Sequence, residues 1–433
     1  MSDQVLERAD QMRTKESILG GQDETMLMKN DASISLQQPF WVLLLSRLAL
    51  NMQMRVIYPF LPAISRGLGV PLGTTSLLLT ARAVANLSSP IYGSLSDRYG
   101  RRALMLTGLV ILTTGTLFVA LAPSFSAVLI AVAFLSLCKA VYDPAVLAYL
   151  GETVPYERRG RMMGILAMMW PTSWLIGVPL AGFLIERVNW RAPFLTISFL
   201  GMLSLGLMLR YRLIGVGSRP IQRVKLKSQD DIPQGLHNQI RTIPRSAWLA
   251  VLISLLLILA TENVYIVYGA WLEDQFGLTL TALGVFSVVI SVAEFTAEGF
   301  SAAWVDRIGK RRAVIYGIML NGLAYLLLPR LAASLTGALA GIFFIYLTFD
   351  FSIVSLFPLL SELAPTARGT LMSLNVAAMA IGRLISSLSA VRLWSAGGLP
   401  ANTILSTLAM TLALIILVTL IREHQLEHES VAS

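Results

Sequence analysis

The chain has 433 residues, of which 55% are hydrophobic and only 14% are charged, and its mean hydropathy is +0.68. Soluble domains carry about 25% charged residues, so this composition excludes an ordinary soluble fold and indicates a polytopic membrane protein. The formal net charge of +9 could suit a nucleic-acid binder, but the basic residues cluster in the termini and alternate loops. We therefore expect no nucleic-acid partner.

Apolar runs close to the ~20 residues that cross a bilayer dominate the chain. Residues 1–38 and 422–433 are polar and are predicted to be cytoplasmic tails, and residues 214–246 form a polar central linker. Six apolar runs precede the linker and six follow it, so we predict an all-α polytopic membrane protein with two six-helix bundles, 39–213 and 247–421. The predicted helices are 39–62, 73–95, 103–122, 126–150, 161–185, 193–213, 247–271, 280–304, 312–330, 335–361, 369–393 and 401–421.

The distribution of Lys and Arg predicts the orientation in the membrane. Of the 34 basic residues, 24 fall in the termini and alternate loops, five in the opposite loops and five within the apolar runs. Because basic loops stay in the cytoplasm, both termini are predicted to be cytoplasmic. We expect a multi-pass protein of the cell membrane, with the lipid bilayer as its surroundings.

A basic turn occurs twice at one offset. Residues 93–102 read Gly-Ser-Leu-Ser-Asp-Arg-Tyr-Gly-Arg-Arg, and residues 302–312 read Ala-Ala-Trp-Val-Asp-Arg-Ile-Gly-Lys-Arg-Arg, with Asp306 lying 209 residues after Asp97. Glycine permits the tight reversal that such a turn between two helices needs. Because Arg159 and Gly160 recur at the same offset as Arg368 and Gly369, the chain is predicted to be two copies of one half.

The first turn resembles the signature loop between helices 2 and 3 of the major facilitator superfamily, and the second resembles the loop between helices 8 and 9. The resemblance implies twelve helices in two pseudo-symmetric bundles around a site near the bilayer midplane. It also implies a gating role, as a latch between the bundles, for Asp97, Arg98, Gly100, Arg101, Asp306, Arg307 and Gly309.

Ionisable residues within the first bundle are the first candidates for a substrate site, because each costs about 2.5–3.5 kcal/mol to insert and needs a partner or a wet cavity. Arg47, Asn51 and Arg55 recur every four residues, and Tyr58 extends the same face of helix 1. Arg82 lies in helix 2. We expect these residues to line a cavity and bind substrate.

Helix 4 contributes Lys139 and Asp143, which are four residues apart. At this spacing they can either neutralise each other as a structural pair or contact substrate and protons. Both readings are open on sequence grounds.

The second bundle carries the opposite charge, so a cavity between the bundles is predicted to be bipolar. Its acids are candidates for proton coupling, together with Asp143, because a carboxylate in an apolar cavity takes up a proton readily; the alternative is that they are ion-paired struts. Arg383 is a substrate-binding candidate. The four acids are Glu262, Glu294, Glu298 and Asp350.

Helix 5 contains Trp170 and Trp174 within a Pro- and Gly-rich stretch that resembles the antiporter motif of drug and sugar efflux permeases. Both rings are candidates to stack on a substrate, although packing would explain them equally well. Exporters of this branch usually carry Asp in helix 1 where this chain has Gln53. Proton coupling is therefore expected to use the acids of the second bundle.

The resemblance implies a secondary transporter, and we expect no enzyme because phosphate-binding loops, nucleophile elbows and His-based metal motifs are missing from the sequence. We expect a monomer without cofactor or metal that exports a small anionic or zwitterionic solute in exchange for protons. The alternatives are a multidrug-type exporter of lipophilic or cationic compounds, and a non-transporting membrane sensor on the same fold.

Overall fold

The computed structural model describes residues 40–88, 99–211 and 243–421, and within these ranges the regular structure is helical. The predicted tails 1–38 and 422–433, and the predicted linker up to residue 242, lie outside the described residues. In the described part, nine helices are long and apolar enough to span a membrane, and a bent helix pair adds a tenth. The longest helix has non-helical backbone at Gly397 and Gly398 and is in fact two helices.

The described helices agree with the twelve predicted ones in place and order, which confirms the all-α architecture. We number them α1 to α12. They are α1 (40–55, continued by Leu61–Leu68), α2 (Leu72–Thr75 and Leu77–Asn86), α3 (Arg101–Leu121), α4 (Phe125–Thr153), α5 (Tyr156–Arg187), α6 (Ala192–Arg210), α7 (Arg245–Phe276), α8 (Leu280–Ile308), α9 (Lys310–Leu331), α10 (Leu335–Leu363), α11 (368–396) and α12 (399–420).

The first helix differs from its prediction as one continuous span. Residues 56–60 leave the helix, and the segment Leu61–Leu68 meets α2 at an angle of 108°. Pro59 lies in this break, and proline cannot donate the backbone hydrogen bond that a continuous helix requires. The break exposes backbone carbonyls near the middle of the bundle, where they need partners from other helices.

The two halves repeat each other in detail. Helices α4 and α10 are both 29 residues long, and each begins at a serine cap. The hydroxyl of Ser124 accepts a hydrogen bond from the backbone N–H of Ala127, and that of Ser334 accepts one from Gly337. Side-chain caps of this kind satisfy the free N–H groups of a helix start. The predicted duplication is therefore present in the local structure as well as in the sequence.

Two glycines with positive φ begin α3 and α9. Gly100 has φ 88° and Gly309 has φ 92°, a backbone region that residues with a Cβ rarely adopt. We call the end of the bundle at which α3 and α9 begin the basic end, because it carries Arg101, Lys310 and Arg311. The opposite end contains the α1–α2, α5–α6 and α7–α8 connections, and we call it the closed end.

Replacing Gly309 with Ala should destabilise the protein by about 1–3 kcal/mol, because the backbone conformation would be strained. Gly299 lies on the neighbouring part of α8, where an added Cβ would meet no described residue within 4 Å. Its replacement by Ala should instead leave stability unchanged or raise it by up to about 1 kcal/mol. Thermal unfolding in detergent measures the stability of both variants. Equal changes in stability would contradict the prediction that a side chain at position 309 strains the backbone.

Candidate functional site

A cavity of about 450 Å³ lies between the two halves and reaches toward the basic end. This volume is within the range of small-molecule sites, about 300–1,000 Å³. Helices α1, α2, α4 and α5 form one wall and α11 forms the other. The described lining residues are Met54, Asn86, Lys139, Ala140, Asp143, Pro144, Trp170, Met372, Ser373, Val376, Ala380 and Arg383.

On the first wall, α4 presents Lys139 and Asp143 as the sequence spacing suggested. Lys139 Nζ lies 2.9 Å from Asp143 Oδ2, and Arg47 Nη1 of α1 lies 2.9 Å from Asp143 Oδ1. Lys139 also donates to Asn51 Oδ1 at 2.8 Å. One carboxylate is thus shared by two cations, so this cluster has a net positive charge.

On the second wall, Arg383 of α11 reaches the cavity. Its Nε donates to Glu262 Oε1 of α7 over 3.2 Å. The side chain of Glu262 is 12% exposed and that of Arg383 is 28% exposed, so the arginine faces the cavity while its carboxylate partner lies behind it.

An ion pair between the two halves lies beside this cavity. Arg55 Nη2 of α1 lies 2.7 Å from Glu294 Oε1 of α8, and the two residues are 6% and 3% exposed. Trp174 Nε1 donates to the same oxygen at 3.1 Å. The pair is buried, hydrogen-bonded and formed between residues 239 positions apart, so it links the two bundles directly.

Aromatic rings enclose the Arg55–Glu294 pair. The guanidinium of Arg55 lies 3.8 Å from the ring centroid of Trp170 and 4.6 Å from that of Trp174. Tyr58 of the first half stacks on Tyr265 of the second half with centroids 3.9 Å apart. Trp170 therefore lies with one side on Arg55 and also lines the cavity, whereas Trp174 and Tyr58 are buried between the halves.

Two more acids lie close to this pair. Asp350 of α10 interacts electrostatically with Glu294, Arg55 and Glu298. Its Oδ2 atom and the Oε2 atom of Glu294 are buried without a hydrogen-bond partner among the described residues. Buried polar atoms without partners are costly, so this acidic group has unused capacity to bind a proton or water.

Arg82 has a different environment from the other candidates. Its Nη1 donates to the carbonyl of Met54 at 2.7 Å and its Nη2 to that of Gln53 at 3.1 Å. Both carbonyls precede the break in α1, so Arg82 satisfies backbone groups that the break leaves free. The residue is 2% exposed, and in this conformation its guanidinium binds the backbone of α1 and is not among the described lining residues of the cavity.

The closed end is sealed by direct packing of α5 against α8. A Cβ on Gly284 would lie 2.9 Å from the carbonyl oxygen of Val178, and a Cβ on Gly182 would collide with that of Leu280. The backbone N–H of Thr281 donates to Glu186 Oε2 at 2.7 Å. Small residues permit such close helix contacts, as expected from the small residues of helix 5.

Those predicted latch residues that the structure describes lie at the basic end. Arg101 Nη2 lies 3.0 Å from Glu152 of α4, and Lys310 pairs with Glu362 of α10 at the corresponding position of the second half. Asp306 and Arg307 are exposed in the last turn of α8. Asp97 and Arg98 lie outside the described residues.

Several residues of the site could not be selected from charge alone. Met54 lines the cavity from α1, and the apolar face formed by Met372, Val376 and Ala380 lines it from α11. These four residues were not predicted from the sequence. The spacing of four between the α11 residues marks one helix face, but apolar faces are common in a membrane helix. Glu152, Glu186 and Glu362 were missed because they lie at helix ends, where acids are ordinary.

Comparisons with known proteins agree with this architecture. The family described as Major Facilitator Superfamily matches residues 43–387 and again 250–432. The chain is 25% identical over 320 residues to "Uncharacterized MFS-type transporter YwfA" of Bacillus subtilis (strain 168), covering 73% of this chain and 76% of that protein. It is 23% identical over 361 residues to "Multidrug resistance protein 2" of the same organism, covering 81% and 88%.

A solved structure shows the same fold. The crystal structure of a POT family transporter in complex with a thioalcohol-conjugated peptide has a TM-score of 0.70 and 18% sequence identity, and the match covers 88% of this chain and 94% of that one. The family match spans most of the chain and agrees with the duplicated turn and the paired bundles. This chain therefore belongs to the major facilitator superfamily of multi-pass membrane transporters.

Proposed function

We propose that the protein is a proton-coupled exporter that moves a small anionic or zwitterionic solute by alternating access, with its basic end in the cytoplasm. The observation that supports this best is the asymmetry of the contact between the halves. The cavity reaches toward the basic end, while α5 and α8 pack backbone to backbone at the closed end. Such an arrangement is one of the two states that a rocking pair of bundles alternates between.

Proton coupling is proposed for Glu294, with Asp350 and Glu298 as further carriers. Glu294 joins the halves through Arg55, so a proton on this carboxylate would remove the charge that holds the arginine. A ligand or proton shifts a conformational equilibrium only if it binds the two states differently. Because the Arg55–Glu294 pair spans both halves in this state, a proton on Glu294 would favour the state in which the pair is broken.

The proposed location is the cell membrane, with both termini in the cytoplasm and a monomer as the transporting unit. The distribution of basic residues supports the orientation. One monomer contains both halves of the cavity, so the proposed mechanism requires no second copy.

A multidrug-type exporter of lipophilic or cationic compounds is the second candidate. Seven of the described lining residues are apolar, and a relative is named a multidrug resistance protein. The two candidates differ in the charge of the solute they move, so they can be separated by a matched set of compounds.

The test uses purified protein in liposomes and three compounds that share a naphthalene body: naphthalenesulfonate, the zwitterion naphthylalanine, and naphthylmethyl-trimethylammonium. The anion and the cation are permanently charged, so a pH gradient acts on the protein and not on them. We expect the gradient to drive accumulation of the anion or the zwitterion, compared with protein-free liposomes. Accumulation of only the cation would support the second candidate, and pH-independent movement would contradict proton coupling.

Glu294→Gln should abolish the effect of the pH gradient, because the amide cannot exchange a proton. Exchange of solute at equal pH on both sides should remain, since this step needs the cavity but no net proton movement. Glu157→Gln is the control, because Glu157 is exposed at the start of α5. A Glu294→Gln protein that still responds fully to the gradient would move the proton site to another residue.

A further inference from the structure

Within the proposed transport function, we infer that the cavity selects organic anions with an apolar body, that Arg383 binds the anionic group, and that zwitterions and cations are poor ligands. The proposed solutes are thereby narrowed from anions and zwitterions to anions. Some charged groups on the cavity wall still have free hydrogen-bonding capacity and others do not, and this difference favours an anionic ligand.

The charged residues among the described lining are Lys139, Asp143 and Arg383. Asp143 is thus the one carboxylate that this part of the chain presents to the cavity. A cationic or zwitterionic ligand would need an acid to hold its ammonium group, since an unpaired charge is costly away from bulk water.

Each oxygen of Asp143 is already held by a protein cation among the described residues. Its Oδ1 is held by Arg47 and its Oδ2 by Lys139, each at 2.9 Å. A ligand ammonium would have to displace one of these cations and leave it without its partner. That exchange replaces one ion pair with another and leaves a protein cation without a partner, so the net gain in binding free energy is small.

Arg383 has the opposite character. Its Nε is used by Glu262, but its two Nη groups have no hydrogen-bond partner within the described ranges, and the side chain is 28% exposed. A guanidinium presents parallel N–H groups that match an anionic group with two oxygens. The Nη groups are therefore free to bind a carboxylate or sulfonate from the cavity.

Lys139 supplies a second donor on the facing wall. An ammonium has three N–H donors, and two of them bind Asp143 and Asn51. The third has no hydrogen-bond partner in the part of the chain described. Among the described residues, the cavity thus offers unused donors on both walls, while its carboxylate, Asp143, is already paired with two cations.

The rest of the lining suits an apolar body. Met372, Val376 and Ala380 form one face of α11, and Met54 and Trp170 face the cavity from the first half. Methionine adapts to irregular apolar shapes, and an indole ring offers a flat surface for a planar group. An aromatic or alicyclic anion would place its ring between these side chains and its charged group at Arg383.

Equilibrium binding of the three naphthalene compounds to the detergent-purified protein tests the ligand class, because only their head groups differ. We expect naphthalenesulfonate to bind at least about tenfold more tightly than the other two, which corresponds to one charge-assisted hydrogen bond. Equal or tighter binding of the cation or of naphthylalanine would overturn the inference.

Variants at Arg383 test the residue assignment. Arg383→Gln should weaken sulfonate binding by about ten- to a hundredfold, and Arg383→Lys should give an intermediate loss because it keeps the charge without the paired donors. Arg330→Gln is the control, since Arg330 is exposed at the end of α9. Unchanged sulfonate affinity in Arg383→Gln would overturn the role of Arg383.

Glu262→Gln gives a test that does not depend on losing binding. Removing the carboxylate that competes for Arg383 should tighten sulfonate binding by up to about fivefold, the upper range for a partly exposed ion pair. If Arg383 and Glu262 formed only a strut between α7 and α11, the same variant would weaken binding, and that result would overturn the inference.

The outcomes for the ligand class and for the proposed function are distinct. Tight, Arg383-dependent sulfonate binding without pH-driven transport would support the ligand class and contradict proton coupling. Transport of the cation driven by a pH gradient would overturn the ligand class and leave coupled transport intact.

Discussion

Replacing Arg55 with Gln should destabilise the protein by about 3–5 kcal/mol, the range found when one partner of a buried ion pair is removed. Glu294 would remain at 3% exposure with the Trp174 indole as its remaining partner. Thermal and denaturant unfolding in detergent would measure the loss. The double variant Arg55→Gln with Glu294→Gln should recover part of the stability, because neither charge is then left unpaired.

A second Arg–Glu pair provides a matched control. Arg66 and Glu273 also join the two halves over 2.7 Å, but the Arg66 side chain is 57% exposed. Exposed pairs contribute about 0–1 kcal/mol, so Arg66→Gln should have a small effect. If Arg55→Gln and Arg66→Gln destabilised the protein equally, burial would not explain the contribution of the Arg55–Glu294 pair to stability.

Gly284→Leu should hold the closed end open and strongly slow transport. The new side chain would press on Val178 and Pro179 of α5, and overpacking of this kind costs about 1–3 kcal/mol. Applied to one state only, that cost shifts the equilibrium by about 5- to 150-fold away from the closed arrangement. Gly299→Leu on the same helix is the control, because a Cβ there meets no described residue within 4 Å.

The opening can be measured as a distance between spin labels at the closed end. Cys138 is the only cysteine in the chain and is buried, so a Cys138→Ala background leaves two introduced cysteines as the sole label sites. Val188 and Asp274 are exposed and lie on opposite halves. Gly284→Leu should lengthen this distance, whereas an unchanged distribution would mean that α5 and α8 do not form the gate.

The charged membrane residues illustrate how far the sequence could be interpreted. Charge and spacing showed that Lys139 and Asp143 can meet on α4, because residues four apart on a helix are neighbours, and the structure shows them paired. The pairing of Arg55 with Glu294 and of Arg383 with Glu262 was not predictable in this way. These partners are 239 and 121 residues apart, and their meeting depends on how helices that are remote in sequence pack together.

The walls of the cavity show the same limit. The sequence predicted that polar faces line the cavity, but the helix 1 candidates Arg47, Asn51, Arg55 and Tyr58 are not among the described lining residues. Met54, Met372, Val376 and Ala380 line the cavity although nothing in their chemistry separates them from residues that face lipid. In a membrane protein the interior and the lipid are both apolar, so hydropathy alone does not tell which apolar face is buried.

The sequence by itself determined the helices, the duplication, the basic turns and the family, because each of these depends on runs or motifs that are local in the chain. Hydrocarbon thickness sets the length of each helix, and glycine with positive φ sets the turns that start α3 and α9. The tertiary structure alone decided which charges pair between different helices and which end of the cavity is closed. Those features depend on distances between helices that are remote in sequence, and a change of a few ångströms there decides whether a donor is occupied or free.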